Sequence, residues 1–365
     1  MKIGILTLPL HTNYGGILQA YALQTVLERM GHEVSLIHGT GVIKKSLYRR
    51  IRHKLSPLRR FVIQNLIPDQ FAKDSGRYTR RFTQKWIKRY DFKSTDLIPS
   101  DFYDAIVVGS DQIWRQIYVE KSNFLNRIET AYLDFARSWH IKRISYAASF
   151  GTDVWEYDSE STDKCAELIQ LFDAVSVREE SGISLCNKYL SCEAVHVLDP
   201  TLLLNKEDYI RLITKRNKKN KGIMTYILDE DEKKKEIIQD CCKKIGKPSF
   251  AANIPYTKLD KHCRGIMQPP LENWLQSFED ADMVITDSFH ACVFSIIFNK
   301  PFIAIPNVAR GASRFYSLLK QVNQVFRIID VHKKFVLDES IMSCPNCDLT
   351  ELKSKSLAFL CDNLK

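Results

Sequence analysis

Two α/β domains with mainly parallel sheets are the fold class this sequence predicts, and three observations predict it. The chain has 365 residues, and at roughly 150 residues per average domain a single core is too small to organise it. Apolar runs of about five residues, bounded by turn residues, alternate with helix-period patterns in the manner of βα units. A run with little apolar content, 206–221, containing Lys215-Arg216-Asn217-Lys218-Lys219-Asn220-Lys221, separates two blocks of that alternation.

In the first block we expect strands at 2–8, 33–38, 104–108, 143–149, 174–178 and 194–198, with helices at 16–30, 162–172 and 180–190. The second block restarts the pattern with strands at 222–228, 248–252, 282–286 and 302–305 and helices at 231–245 and 290–298. A last helix is expected at 349–362, which could pack back across the first domain. The domains are therefore expected at 1–205, with a basic insertion at about 43–100, and at 222–340. The stretch 206–221 reads as the linker and 341–365 as a helical tail.

A 45% apolar and 26% charged composition excludes a disordered, collagenous or membrane-embedded chain. No apolar stretch reaches 18 residues, and Met1-Lys2 runs directly into Ile3-Gly4-Ile5-Leu6, so no secretory pattern is read and a cytoplasmic location is expected. Ten cysteines are too sparse for a disulfide scaffold, and reduced thiols are expected. The one metal-like spacing, Cys344-Pro345-Asn346-Cys347, has no second pair, so no metal is expected.

The net charge of +10 is concentrated locally. Residues 44–60 hold Lys44, Lys45, Arg49, Arg50, Arg52, Lys54, Arg59 and Arg60 with no acid. A second stretch carries Arg77, Arg80, Arg81, Lys85, Lys88 and Arg89, interleaved with Tyr78, Phe82, Trp86 and Tyr90, which a helix would gather on one face. Such a surface suits nucleic acid, anionic lipid or an anionic substrate, and equally a solvated basic face with its aromatics packed on the core.

Three segments place polar or glycine residues just past a strand's carboxyl end, where open α/β sheets bind ligands. After strand 2–8 comes His11-Thr12-Asn13-Tyr14-Gly15-Gly16 and then a helix, which reads as an anion-binding loop or as a tight turn needing glycine. After strand 104–108 comes Gly109-Ser110-Asp111-Gln112-Ile113-Trp114. Asp111 could accept a hydroxyl proton, Gln112 fix orientation and Trp114 stack on a sugar; alternatively Ser110 or Asp111 caps a helix and Trp114 lies in the core. After strand 282–286 comes Asp287-Ser288-Phe289-His290, which places His290 in the first turn of an apolar helix as a proton donor or as a cap. Arg178 ends strand 174–178 and offers a planar fork to carboxylate or phosphate, or else pairs with Glu179 or Glu180.

These motifs, in this order, resemble the polysaccharide pyruvyl transferase family: Asn13-Tyr14-Gly15-Gly16, Gly109 through Trp114, Ser176-Val177-Arg178-Glu179, Asp199-Pro200-Thr201 and Thr286-Asp287-Ser288-Phe289-His290. The resemblance spans about residues 3–305. It implies two Rossmann-like domains facing a central cleft, similar to the GT-B glycosyltransferases. It also implies phosphoenolpyruvate as donor, a saccharide as acceptor, a pyruvate ketal as product, and no further cofactor. On this resemblance His290 and Asp111 are the catalytic candidates. Arg178, Ser288, Phe289, Asn13, Tyr14, Gly15, Gly16, Ser110, Gln112 and Trp114 are the substrate-binding ones. The basic insertion follows no family pattern, and we assign it to a lipid-linked acceptor at an anionic membrane surface.

A nucleotide-sugar glycosyltransferase would use the same fold and cleft. A nucleic-acid-binding protein would account for the basic stretches but leave His290 and residues 109–114 without purpose, so no nucleic-acid partner is expected.

Overall fold

The computed structural model describes residues 1–39, 75–254, 267–307, 310–333 and 335–365. The basic stretch 44–60 lies outside the described residues.

The first half is one seven-stranded parallel sheet. Its strands are β1 (Lys2–Leu6), β2 (Glu33–Gly39), β3 (Arg89–Phe92), β4 (Ala105–Gly109), β5 (Lys142–Ala148), β6 (Ala174–Val177) and β7 (Val195–His196), in the order β3-β2-β1-β4-β5-β6-β7. The register sets Ile3 beside Val34 on one side and Ala105 on the other. Both faces are covered, so β4 reads Ala-Ile-Val-Val-Gly without polar alternation and is buried throughout. The second half is a four-stranded parallel sheet of β8 (Ile223–Tyr226), β9 (Ser249–Ala251), β10 (Met283–Thr286) and β11 (Phe302–Ala304), ordered β11-β10-β8-β9.

Helix α1 (Tyr14–Arg29) follows β1, α2 (Arg77–Trp86) precedes β3, and α3 (Ser159–Ile169) and α4 (Glu180–Leu190) flank β6. In the second half α5 (Glu232–Ile245), α6 (Leu271–Asp280), α7 (Phe289–Ile297) and α8 (Ser313–Gln321) surround the smaller sheet, and α9 (Thr350–Asn363) ends the chain. Helix α9 lies on the first sheet: Phe359 packs against Tyr146, and Ser356 Oγ accepts the Leu198 N–H. The stretch expected as linker opens with the short helix Lys206–Ile210, whose Asp208 is paired with Arg29 of α1.

Three elements were not expected. Helix α6 buries Leu271, Trp274, Leu275 and Phe278, an i, i+3, i+4, i+7 stripe, and its Trp274 packs on Tyr14 and Tyr226. Helix α8 buries Phe315, Leu318 and Leu319. Strand β3 corrects the four-aromatic helix. Backbone after Trp86 is extended, so Tyr90 leaves the helical face, lies on β3 and meets Phe102 edge-on at 4.9 Å. Phe82 is buried and Trp86 packs edge-on against Tyr21 of α1. Among the described residues no helix is long and apolar enough to cross a membrane.

Candidate active site

Strand order reverses between β1 and β4 in the first sheet and between β8 and β10 in the second. At such switch points the loops leaving the carboxyl ends diverge and open a crevice. Both crevices open on one cavity of about 580 Å³, lined from the first half by residues including His11, Asn13, Asp111 and Gln112 and from the second by Asp287, Ser288, Phe289, His290, Arg310 and Arg314.

The first-sheet wall is locked by amides. Gln19 of α1 accepts from both the backbone N–H and the hydroxyl of Ser110, at 3.0 and 2.9 Å, and donates to Thr7 Oγ1. Ser110 is therefore wholly buried. Asp111 follows in the left-handed region at φ +54° and turns its carboxylate toward the cavity, where Oδ2 accepts from Asn13 Nδ2 at 3.4 Å. Gln112 Nε2 reaches across to the carbonyl of Arg310 at 3.4 Å.

Trp114 goes elsewhere. Its side chain is fully buried, stacks on Tyr132 at 5.0 Å with planes 6° apart, and donates Nε1–H to the Ala131 carbonyl. It is thus a core residue away from the cavity. Tyr14 likewise serves the contact between halves, donating its hydroxyl to the Pro269 carbonyl and stacking near Tyr226. Gly15 and Gly16 begin α1 under the cavity, with Gly15 directly beneath His290.

A buried charge cluster lies behind the cavity. Arg178 Nη1 donates to Asp199 Oδ2 at 2.7 Å and Nη2 to Asp111 Oδ1 at 3.2 Å, while its Nε is buried without a partner. Its side chain is 1% exposed. Asp199 also caps the turn Pro200–Leu203, accepting the Thr201 N–H and hydroxyl. His290 Nε2 sits 3.5 Å from Asp199 Oδ2, within ion-pair range but without a hydrogen bond. Burial alone would raise the pKa of Asp199. His290, Arg178 and the Thr201 hydroxyl outweigh it and hold that carboxyl far below the usual range. Burial acts the same way on Asp111, where Arg178, then His290 and Arg314, hold the pKa below its ordinary value.

On the second-sheet side, Asp287 accepts the Leu228 and Asp229 N–H groups at 2.7 and 3.1 Å and pairs with Lys234 at 2.9 Å, which ties the ends of β8 and β10 together. Ser288 opens α7 without a side-chain cap bond and lines the cavity. Two guanidiniums approach the Phe289 ring, Arg178 at 4.7 Å and Arg314 at 5.3 Å from its centroid. The loop that carries Arg310 and leads into α8, where Arg314 lies, meets the first half at Gly311. This residue holds φ +96°, and a Cβ added there would stand 1.8 Å from the Gly151 carbonyl oxygen.

The motifs thus bring Asn13, Asp111, Gln112, Ser288, Phe289 and His290 to one cavity, and place Arg178 just behind it. Sequence reasoning missed Arg310, in the loop before α8, and Arg314, in the first turn of α8, and gave no role to Asp199 despite its Asp-Pro-Thr signal. It also missed His38, which with His11, Arg80, Lys121 and Phe124 lines the outer end of the cavity. Burial, then the charge of Arg80, lowers the pKa of His11. Among the described residues no cluster of three or more His, Cys, Asp or Glu could hold a metal ion.

Comparison with known proteins fits this geometry. Residues 13–307 match the model of the family described as polysaccharide pyruvyl transferase. No curated protein sequence matches significantly. Among solved structures, the S. aureus MnaA–UDP co-structure is 12% identical, with 100% of this chain and 97% of that chain covered at a TM-score of 0.52, which shows a shared fold. UDP-GlcNAc 2-epimerase from Methanocaldococcus jannaschii aligns over 94% of this chain and 90% of its own at 11% identity and TM-score 0.48. MurG from Acinetobacter baumannii covers 100% and 91% at 11% identity and TM-score 0.41. The two facing parallel sheets share the fold of the S. aureus MnaA structure, a GT-B-like arrangement, and with a family match running from the loop before α1 to the loop after β11, this chain belongs to the polysaccharide pyruvyl transferases, a family of transferase enzymes.

Proposed function

We propose that the chain moves the pyruvyl group of phosphoenolpyruvate onto two hydroxyls of one sugar, forming a ketal in cell-surface or exopolysaccharide synthesis. The observation that carries this reading is His290. It is 5% exposed, backed by Asp199 at 3.5 Å, and opens on a cavity whose lining also holds Arg80, Lys121, Arg310 and Arg314. A cationic cleft concentrates a donor that bears both phosphate and carboxylate.

With Nε2 directed at Asp199, Nδ1 is the nitrogen free to exchange a proton with substrate. It delivers that proton to the methylene carbon of the donor, C3. The C2=C3 electron pair forms the new C–H bond, and C2 becomes cationic. A sugar hydroxyl adds to C2 and returns its proton to the now neutral imidazole. Phosphate leaves with the C2–O bonding pair, and the second hydroxyl adds at C2 as its proton passes to the departing phosphate. Each bond broken is matched by one formed without a redox partner.

Asp111 was the expected acceptor of hydroxyl protons. Its carboxylate, held at low pKa by Arg178, is a weak base, and orientation of Asn13 and the arginines suits it better. The saccharide acceptor enters at the outer end, past His11, His38 and Phe124. Thermal-shift titration tests the reading: phosphoenolpyruvate should raise the melting temperature more than uridine or guanosine diphosphate sugars at equal concentration. Stabilisation by a nucleotide sugar alone would favour glycosyl transfer.

A further inference from the structure

The two guanidiniums near Phe289 differ in what their nitrogens do. Both terminal nitrogens of Arg178 are on carboxylates, and the residue does not line the cavity. Arg314 lines it, with a side chain only 7% exposed. Its Nη2 donates to the Arg310 carbonyl at 2.7 Å and its Nε to the Gly311 carbonyl at 3.4 Å. Nη1 makes no hydrogen bond among the described residues. Its nearest carboxylate oxygen, Asp111 Oδ1, is 3.9 Å away and already accepts from Arg178.

A guanidinium so placed is desolvated and under-compensated. Burial, then repulsion from Arg178, pushes its pKa down to about 10, so it stays cationic at neutral pH. Buried cations are retained where something pairs with them, and here the open side is the cavity that His290 shares.

We infer that Arg314, and not Arg178, is the arginine that grips the donor's anionic group, a carboxylate or a phosphate, inside the cavity. This rests on the pyruvyl-transfer reading only for the identity of the anion. Arg178 instead holds Asp111 and Asp199 in place behind it. Because Arg314 follows Gly311, whose backbone is pressed against Gly151, its position is set by the contact between the two halves. The anion site is therefore assembled only when they meet.

The experiment is calorimetric titration of the full chain and of Arg314→Met and Arg314→Lys with phosphoenolpyruvate, inorganic phosphate and pyruvate, with far-UV circular dichroism as the folding check. Arg314→Met should weaken phosphoenolpyruvate binding by roughly tenfold or more. Arg314→Lys should recover part of it, since a point charge lacks the fork. If Arg314→Met does not fold, a Lys variant that binds as tightly as wild type overturns the assignment. Equal affinity in wild type and Arg314→Met also overturns it, as does a wild-type chain that binds none of the three anions. Wild-type binding of inorganic phosphate but not phosphoenolpyruvate, lost in Arg314→Met, supports the Arg314 site while removing the pyruvyl donor. Loss confined to the phosphate arm or to the pyruvate arm supports the site and tells which group it grips.

Discussion

The imidazole of His290 rests on the Cα of Gly15: a methyl group built there would stand 2.1 Å from Nδ1 and 2.2 Å from Cγ. Alanine is the better helix former by about 1 kcal/mol, so Gly15→Ala should leave α1 formed and push the ring aside. A misplacement of about 1 Å can cost roughly 10² in rate. Sugar-dependent phosphate release should drop by that order with the circular dichroism spectrum unchanged. Gly16→Ala, whose methyl would meet Asn13 Nδ2 at a looser 3.1 Å, should be milder. Wild-type turnover in Gly15→Ala would show that the ring is positioned by something else.

Arg178→Met leaves Asp199 and Asp111 buried without the guanidinium that pairs with both, and breaking such a buried pair costs about 3–5 kcal/mol. Denaturant unfolding should show that loss. The pH dependence carries a sign. Both carboxyls have pKa values depressed on folding, so their stabilising contribution is complete above their unfolded value near 4 and is lost as pH falls through the folded values. Wild type should lose stability progressively below about pH 4, and Arg178→Met should show a flatter acid limb. An equally steep limb in both would mean that Arg178 does not hold these groups ionised.

Which parts were legible follows from what places them. Asp111 and His290 each come just past the carboxyl end of an apolar strand, and parallel βα order alone puts such positions at one crevice. Trp114 is three residues past Asp111, and its direction depends on a left-handed backbone at Asp111 that sequence pattern does not announce. Arg178 ended its strand as read, but its partners, Asp111 and Asp199, are 67 and 21 residues away. Arg314 was hidden because its placement rests on the Gly311–Gly151 contact between distant segments. Helix α6, in contrast, carried a plain apolar stripe that simply went unread behind Pro269-Pro270.

Trp114→Ala decides between the sugar-stacking expectation and the core position. Emptying a fully buried indole site costs about 3–5 kcal/mol, so the melting temperature should fall sharply. Folded protein recovered at low temperature should keep the wild-type KM for its acceptor. A raised KM without lost stability would return the indole to the site.

Arg80 and Lys121 are exposed at the outer end of the cavity and pair with no acid among the described residues. Charges so placed act mainly on capture, and their effect is screened by salt. Changing both to Ser should lower kcat/KM several-fold at low ionic strength, with kcat unchanged and the difference vanishing at about 1 M salt, where the screening length is roughly 3 Å. A salt-independent defect would point to a structural role for these side chains.

His290→Asn is the most direct test of the proposed chemistry. Asparagine is similar in size and lies in the first turn of α7 behind the Ser288 N-cap, but it cannot deliver a proton at neutral pH. General acid catalysis is typically worth about 10² to 10⁴ in rate, so turnover should fall by that order while phosphoenolpyruvate affinity stays within a few-fold. Asp199→Asn should act through the same imidazole. With no carboxylate 3.5 Å behind the ring to orient it, turnover should fall while phosphoenolpyruvate affinity stays within a few-fold. Retention of more than about a tenth of wild-type turnover by His290→Asn would move the proton donor to another group. The combination of lost turnover and retained donor affinity in both variants is what a proton relayed through Nδ1 requires.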